Sequence, residues 1–259
     1  MPLNTPADFP QTDPPRSPRE WLPTMYDLPS EDPEEPGLPD MFHYHQPHLL
    51  QETFCPPDYP ADQIFAAGDL NLYYDVHHPL WHKRPDWFAV LGVSRLYDER
   101  DLRLGYVVWQ EGALPFIVVE LLSPGTDKED LGQTLREVKQ PPTKWEVYER
   151  ILRIPYYVVY DRYTGQLRAF TQTGGRYRQL DLPEPRLWLP EIRLGLGLWS
   201  GVYENTECQW LRWYTADNQW ILTAAERLEL ERQRAEREQQ RAERLAAQLR
   251  SLGIEPDEP

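Results

Sequence analysis

Between residues 71 and 182 the chain alternates short β-branched and aromatic runs with turn-forming residues, a pattern that predicts a sheet rather than a helical bundle. NLYYDV (71–76), DWFAVLGV (86–93) and GYVVWQ (105–110) predict strands. PFIVVELL (115–122) is apolar throughout except at Glu120, as suits a central strand buried on both faces, and it stops at Ser123-Pro124-Gly125. TKWEVYERIL then sets Trp145, Tyr148 and Ile151 at helical spacing behind Thr143, an N-cap residue, and Ile154-Pro155 ends the helix. YYVVYD (156–161), QLRAFTQ (166–172) and RYRQLDL (176–182) are separated by Thr164-Gly165 and Gly174-Gly175, which predicts a strand continued by antiparallel partners. The expected fold class is α/β: a mixed sheet with one important helix against it.

Both ends read differently. Residues 1–40 are rich in Pro, Asp and Glu and predict an extended or disordered arm. MFHYHQPHLLQETF (41–54) has the apolar content for a short helix or a docked segment, and the prolines of FCPPDYP then block regular structure. Residues 224–249 lack Gly and Pro and predict a long helix. On it Ala224, Leu228, Ala235, Ala242, Leu245, Leu249 and Leu252 follow a heptad seam, but Glu231 and Glu238 interrupt it, so a coiled coil and a solitary helix both stay open. The expected division is an arm at 1–54, a domain at 55–218 and a C-terminal helix at 219–259.

Composition narrows the function. No apolar run approaches the roughly 20 residues that span a bilayer, and the first residues do not form a secretory signal, so the expectation is a cytoplasmic protein without membrane contact. Cys55 and Cys208 are too few for a disulfide framework or a multi-cysteine zinc site. The net charge of −15 argues against a protein that coats DNA. Most of that charge sits in the ends, however, and residues 61–218 hold twenty-two acids against eighteen bases. This middle region is compatible with a phosphate substrate.

Three residues carry the chemistry. Asp86 opens a strand, Glu120 interrupts an apolar one, and Lys144 opens the helix. A buried carboxylate costs several kcal/mol unless paired or bound to a metal, so Glu120 most demands a partner. Two converging carboxylates suit Mg²⁺ or Mn²⁺, and a lysine adds a charge that can orient water or stabilise a phosphoryl transition state. The bland alternative has Asp86 capping a turn, Glu120 paired with Arg168 and Lys144 solvated; the order of the three on these elements favours the site.

RPDWFAVLGV, PFIVVELLSPGTDKEDLG and TKWEVYERILRIPYYVVYDRYTGQLRAF together resemble the Uma-type putative restriction endonuclease family of bacteria, within the PD-(D/E)XK nuclease superfamily, over residues 55–215. The resemblance implies a restriction-endonuclease-like mixed sheet flanked by helices and divalent-metal-dependent cleavage of DNA. It makes Asp86 and Glu120 metal ligands with the Leu121 carbonyl as a third. The superfamily's usual lysine position, two residues after Glu120, holds Leu122; Lys144, four residues before Tyr148, matches the family's placement, with Lys128 as fallback. Tyr148 is expected to pack the helix on the sheet. Superfamily members often work as dimers, which makes a homodimer the expected assembly.

Weaker candidates complete the reading. His43, His45 and His48 suggest zinc only superficially, while His77, His78 and His82 are read chiefly as a loop rim rather than as phosphate contacts. Asp69 and Asp75 are read chiefly as turn or cap residues rather than ligands of a second ion, and Asp161 as a turn residue. Arg95, Arg100 and Arg103 offer a small basic rim for DNA, but Asp98, Glu99 and Asp101 dilute it and favour a solvated, charge-balanced loop. Two functions remain: a metal-dependent endonuclease acting on DNA, and a catalytically weak or inactive nuclease-fold protein that assembles through its C-terminal helix.

Overall fold

A computed structural model describes residues 40–123, 130–133 and 140–251; the arm at 1–39, Lys128 and Leu252 lie outside them. Contacts divide the chain into two units, Met1–His43 and Tyr44–Pro259. In the first, the Asp40 carboxylate accepts the His43 backbone N–H at 3.0 Å. Helix α1 runs from Met41 to Thr53.

The main sheet of the second unit is built from β1 (Ile64–Ala67), β4 (Trp87–Leu91), β6 (Ile117–Leu121), β7 (Tyr156–Asp161), β8 (Gln166–Thr173) and β9 (Arg176–Gln179), in the spatial order β1-β4-β6-β7-β8-β9. β6 and β7 are parallel and the other neighbours antiparallel. A parallel pair cannot be closed by a tight turn. The crossover between them therefore carries helix α3, Lys144–Glu146, which continues as a π-helical turn over Val147–Ile151.

Side chains alternate across the sheet with a period of two. Phe88 and Val90 of β4, Val118 of β6 and Tyr157 and Val159 of β7 face α3 and pack with Val147, Tyr148 and Leu152. Trp87 points the other way, with Phe54 at 5.3 Å and Trp213 at 5.8 Å between ring centroids. That second layer is an antiparallel sheet of β10 (Arg186–Leu189), β11 (Leu194–Tyr203) and β12 (Thr206–Tyr214). Hydropathy does not announce β11, because Gly195, Gly197 and Gly201 dilute it. A Cβ at Gly195 would fall inside the Tyr214 ring, so close cross-strand packing excludes a larger residue there. The Gln46 side chain of α1 closes one edge as a substitute strand, exchanging two 2.8 Å bonds with the Leu211 backbone.

Two expected strands shrink. NLYYDV keeps only β2, Leu72–Tyr73, which lies between β3 (His82–Lys83) and β5 (Tyr106–Val107) in a small sheet. Asp75 accepts the His77 backbone N–H at 2.9 Å and turns the chain. GYVVWQ becomes β5 followed by a helical turn, α2 (Val108–Glu111), which Gly112 ends at φ 68°. The arginine loop also differs from expectation. The Arg103 side chain is buried, bonded to Glu111 and to the Ser94 carbonyl, with its guanidinium 5.0 Å from the Phe65 ring centroid.

α3 is locked at both ends. Thr143 and Glu146 form a reciprocal capping box at its start. In the π turn the Leu152 N–H reaches Val147 O, and Glu149 is stitched to the β8–β9 hairpin. The Glu149 carboxylate accepts the Tyr177 N–H at 3.0 Å and Arg176 at 3.1 Å, while its carbonyl accepts Gln172 at 2.6 Å. Burial pushes the Glu149 carboxyl up, but the Tyr177 amide, Arg176 and Arg150 outweigh it and hold it below the usual glutamate range.

The last helix, α4 (Ala224–Ser251), has no buried residue and is about 42 Å long at 1.5 Å per residue. Its root is fixed by a second capping box, Thr223 with Glu226, and by buried Arg212, which grips Glu226 and donates to Ile221 O at 3.0 and 2.7 Å. Arg212 also lies 4.2 Å from the Trp199 ring centroid. Among the described residues no helix is long and apolar enough to cross a membrane.

Glu149→Gln is expected to lower stability by about 1–2 kcal/mol at pH 7, since it weakens charge-assisted bonds at a buried site. Because the folded-state acidity is strengthened, this contribution is complete above the unfolded glutamate pKa of about 4.3 and fades as pH falls through the lower folded value. Urea midpoints of wild type and variant should therefore begin to converge as pH falls below the unfolded value of about 4.3; a gap that stays constant with pH would contradict the assignment. Glu226→Gln leaves the buried Arg212 without its counter-charge and should cost about 2 kcal/mol, discounted because Glu226 is one-third exposed. An unchanged urea midpoint would show that α4 is not anchored there.

Candidate active site

The site follows from strand register. β4 and β6 are antiparallel with Phe88 opposite Val118 and Trp87 opposite Val119, so continuing the pairing by one step sets Asp86 opposite Glu120. Both positions are in phase with Phe88 and Val118, so both side chains emerge on the α3 face. The Glu120 Oε2 lies 3.3 Å from the Asp86 backbone N, and the Asp86 Oδ2 accepts the Leu121 N–H at 2.6 Å. Each acid is thereby oriented by the other's strand.

Like charges facing each other across a ladder are unfavourable, and Glu120 is fully buried. α3 brings the compensating groups. Lys144 and Tyr148 are four residues apart and so share one helix face. Lys144 Nζ is 2.9 Å from Glu120 Oε2, and Tyr148 donates its hydroxyl to Glu120 Oε1 at 3.0 Å. Tyr148 packs the helix on the sheet as expected, and its hydroxyl also fixes the acid.

A third carboxylate enters from the crossover. Asp130, 1% exposed, places Oδ1 3.2 Å from Lys144 Nζ, and Tyr157 of β7 holds its carbonyl through a 2.8 Å hydrogen bond. Nothing in the sequence marked Asp130 or Tyr157. Asp130 follows the polar stretch SPGTDKE without periodicity, and Tyr157 is one aromatic among several in β7.

Among the described residues three carboxylates, Asp86, Glu120 and Asp130, act on one ammonium, that of Lys144. Burial drives the Glu120 carboxyl well above the usual range; Lys144 pulls it down, and Asp86 and Asp130 push it up again. Burial works against the Lys144 ammonium, but Glu120, Asp130 and Asp86 outweigh that and hold its pKa well above the usual lysine value. Asp69 sits at the margin, at φ 51° beside Gly68, with its backbone N–H on Pro85 O at 3.1 Å and Asp86 O at 3.3 Å. Burial raises the Asp69 carboxyl, opposed by Arg84 and reinforced by Asp86.

The remaining candidates lie elsewhere. Arg168 bonds Gln166 rather than Glu120. His78 pairs with Asp75 and stacks on Trp81 at 3.8 Å, and His82 bonds the Leu80 carbonyl. Asp161 accepts the Tyr163 N–H at 2.9 Å and the Thr164 N–H at 3.3 Å, as its expected turn role requires. Among the described residues no group of three or more His, Cys, Asp or Glu is arranged to hold a metal ion. A cation at this site would therefore depend on Asp86, Glu120 and backbone oxygen. The donor set fits one: the oxygens are hard, and among the described residues Asp86, Glu120 and Asp130 act on a single ammonium.

Comparison with known proteins gives a family. No curated protein matches the chain. Among solved structures it is similar to a putative nuclease belonging to DUF820 from Anabaena variabilis ATCC 29413, with 12% identity and a TM-score of 0.31, over 51% of this chain. The match spans 63% of that chain's length. The Uma2 family, described as "Putative restriction endonuclease", matches residues 23–202, most of the chain and all of Asp86, Glu120, Asp130 and Lys144. The chain belongs to the Uma2 family.

Proposed function

We propose that the protein is an endonuclease that hydrolyses DNA phosphodiester bonds with a divalent cation, Mg²⁺ or Mn²⁺, held by Asp86, Glu120 and the Leu121 carbonyl. The observation that carries this reading is the opposition of Asp86 and Glu120 on one face of the sheet with Lys144 2.9 Å from Glu120. A residue's N–H and C=O leave the same edge of a strand. Since the Leu121 N–H meets Asp86, its carbonyl faces the Asp86 edge too. When bound, the cation would lower the pKa of a water and neutralise charge developing on phosphate. The chain's own residues do the rest. Tyr148 holds Glu120 in one orientation, Leu121 holds Asp86, and Lys144 presents a charged donor to the attacking water or to a phosphate oxygen.

Duplex cleavage needs a site for each strand, so a homodimer is the proposed working unit. α4 supports a second reading, in which this is a nuclease-fold protein with weak or no catalysis that assembles through its last helix. The 28 residues of α4 include none that is buried, and Leu228, Leu230 and Leu245 are more than half exposed.

Purified protein with Mg²⁺ or Mn²⁺ should nick supercoiled plasmid, and chelator should abolish it. Asp86→Ala and Glu120→Ala should each reduce the rate by about 100-fold or more, the scale of losing one charge-stabilising group. Equal nicking by wild type and both variants would overturn the nuclease reading. For the assembly reading, sedimentation should show a dimer that Leu245→Lys with Leu249→Lys converts to monomer; a wild-type monomer would remove it.

A further inference from the structure

The ammonium of Lys144 is held between two carboxylates that come from different parts of the chain, Glu120 Oε2 at 2.9 Å and Asp130 Oδ1 at 3.2 Å. Glu120 belongs to β6, whose place is fixed by the sheet. Asp130 belongs to the crossover, yet it is as immobile by contact: it is 1% exposed, and Tyr157, itself fully buried, grips its carbonyl at 2.8 Å. Lysine carries its charge on four rotatable bonds and must be restrained if it is to act at one point. The strand itself offers no ammonium, because the same-face neighbour two residues beyond Glu120 is Leu122, packed in the core. The charge comes instead from the first residue of α3, where the backbone is set by the Thr143–Glu146 capping box but the side chain is not. Glu120 holds the ammonium through a hydrogen bond, and the ion pair with Asp130 restrains it from a second side.

We propose that Asp130 is a positioning residue that aims the Lys144 ammonium, and that it influences the reaction only through Lys144. This rests on the phosphodiesterase reading above and deepens it. Asp130 is not assigned as a metal ligand, since among the described residues no third His, Cys, Asp or Glu joins Asp86 and Glu120 in a metal-holding group. Its role resembles that of the outer partners of metal ligands, whose loss typically costs about 10–100-fold in activity.

The test is a mutant cycle on the full chain: wild type, Asp130→Asn, Lys144→Met and the double variant, assayed for plasmid nicking and for Mn²⁺ affinity by calorimetry. Asp130→Asn should slow nicking by about 10–100-fold with Mn²⁺ affinity nearly unchanged. In the Lys144→Met background the same substitution should change the rate less than about twofold, because coupled residues are non-additive. Multiplicative losses would overturn the proposal, as would loss of Mn²⁺ binding in Asp130→Asn. Should Asp130→Asn fail to fold, Asp130→Glu carries the cycle: it keeps the charge and shifts it by one methylene, so it should cost several-fold in the wild-type background and nothing in Lys144→Met. A readout without turnover is acylation of Lys144 by an N-hydroxysuccinimide ester, followed by peptide mass spectrometry. Labelling should rise several-fold in Asp130→Asn or Asp130→Glu, and unchanged labelling would overturn the proposal even where the cycle's rates fall to the chelated blank. A wild type that does not nick overturns the underlying reading, and this assignment with it; an active wild type with multiplicative losses overturns the assignment alone.

Discussion

The structure turns on two carboxylates facing each other at the end of the β4–β6 ladder. Asp86 and Glu120 stand opposite by register, and one of them is fully buried. Left to themselves they would repel and demand hydration that the core does not supply. Much of the surrounding architecture answers that demand. The crossover from β6 to β7 brings Lys144, the π turn that follows adds Tyr148, and the Leu121 amide donates to Asp86.

The second sheet and the hairpin serve the site indirectly. Trp87, the strand neighbour of Asp86, is clamped on the opposite face by Phe54 and Trp213, which fixes where β4 begins. Glu149 ties the π turn of α3 to β8 and β9, so the helix that carries Lys144 and Tyr148 cannot slide along the sheet. A π turn inside a short helix is costly unless something holds it, and such turns often mark functional sites.

Much of this was legible in the sequence where a local rule decided the outcome. The apolar run around Glu120, the Thr143 cap and the strand YYVVYD each follow from residue types at fixed spacing, and the structure places all three as expected. The catalytic candidates Asp86, Glu120 and Lys144 converge as their order on the elements suggested. What the sequence hid depends on register and on tertiary contact. Periodicity cannot say that residue 86 faces residue 120, and no pattern marks Asp130, whose importance comes from a lysine fourteen residues later. Hydropathy does not announce the β10–β12 sheet because β11 carries glycines, and the close approach of the Tyr214 ring that requires one at Gly195 is visible only after folding. Arg103 misled in the opposite sense, since a charged loop residue proved to be buried against Phe65 and Glu111.

Binding of one divalent cation between Asp86 and Glu120 is the proposal on which the nuclease reading depends, and calorimetric titration with Mn²⁺ in the absence of nucleic acid tests it most directly. The expected result is one binding site in the wild-type chain that disappears in Glu120→Gln, a variant that removes the charge while preserving the shape of the side chain. Saturable Mn²⁺ binding of equal affinity in both proteins, or none in either, would contradict the account.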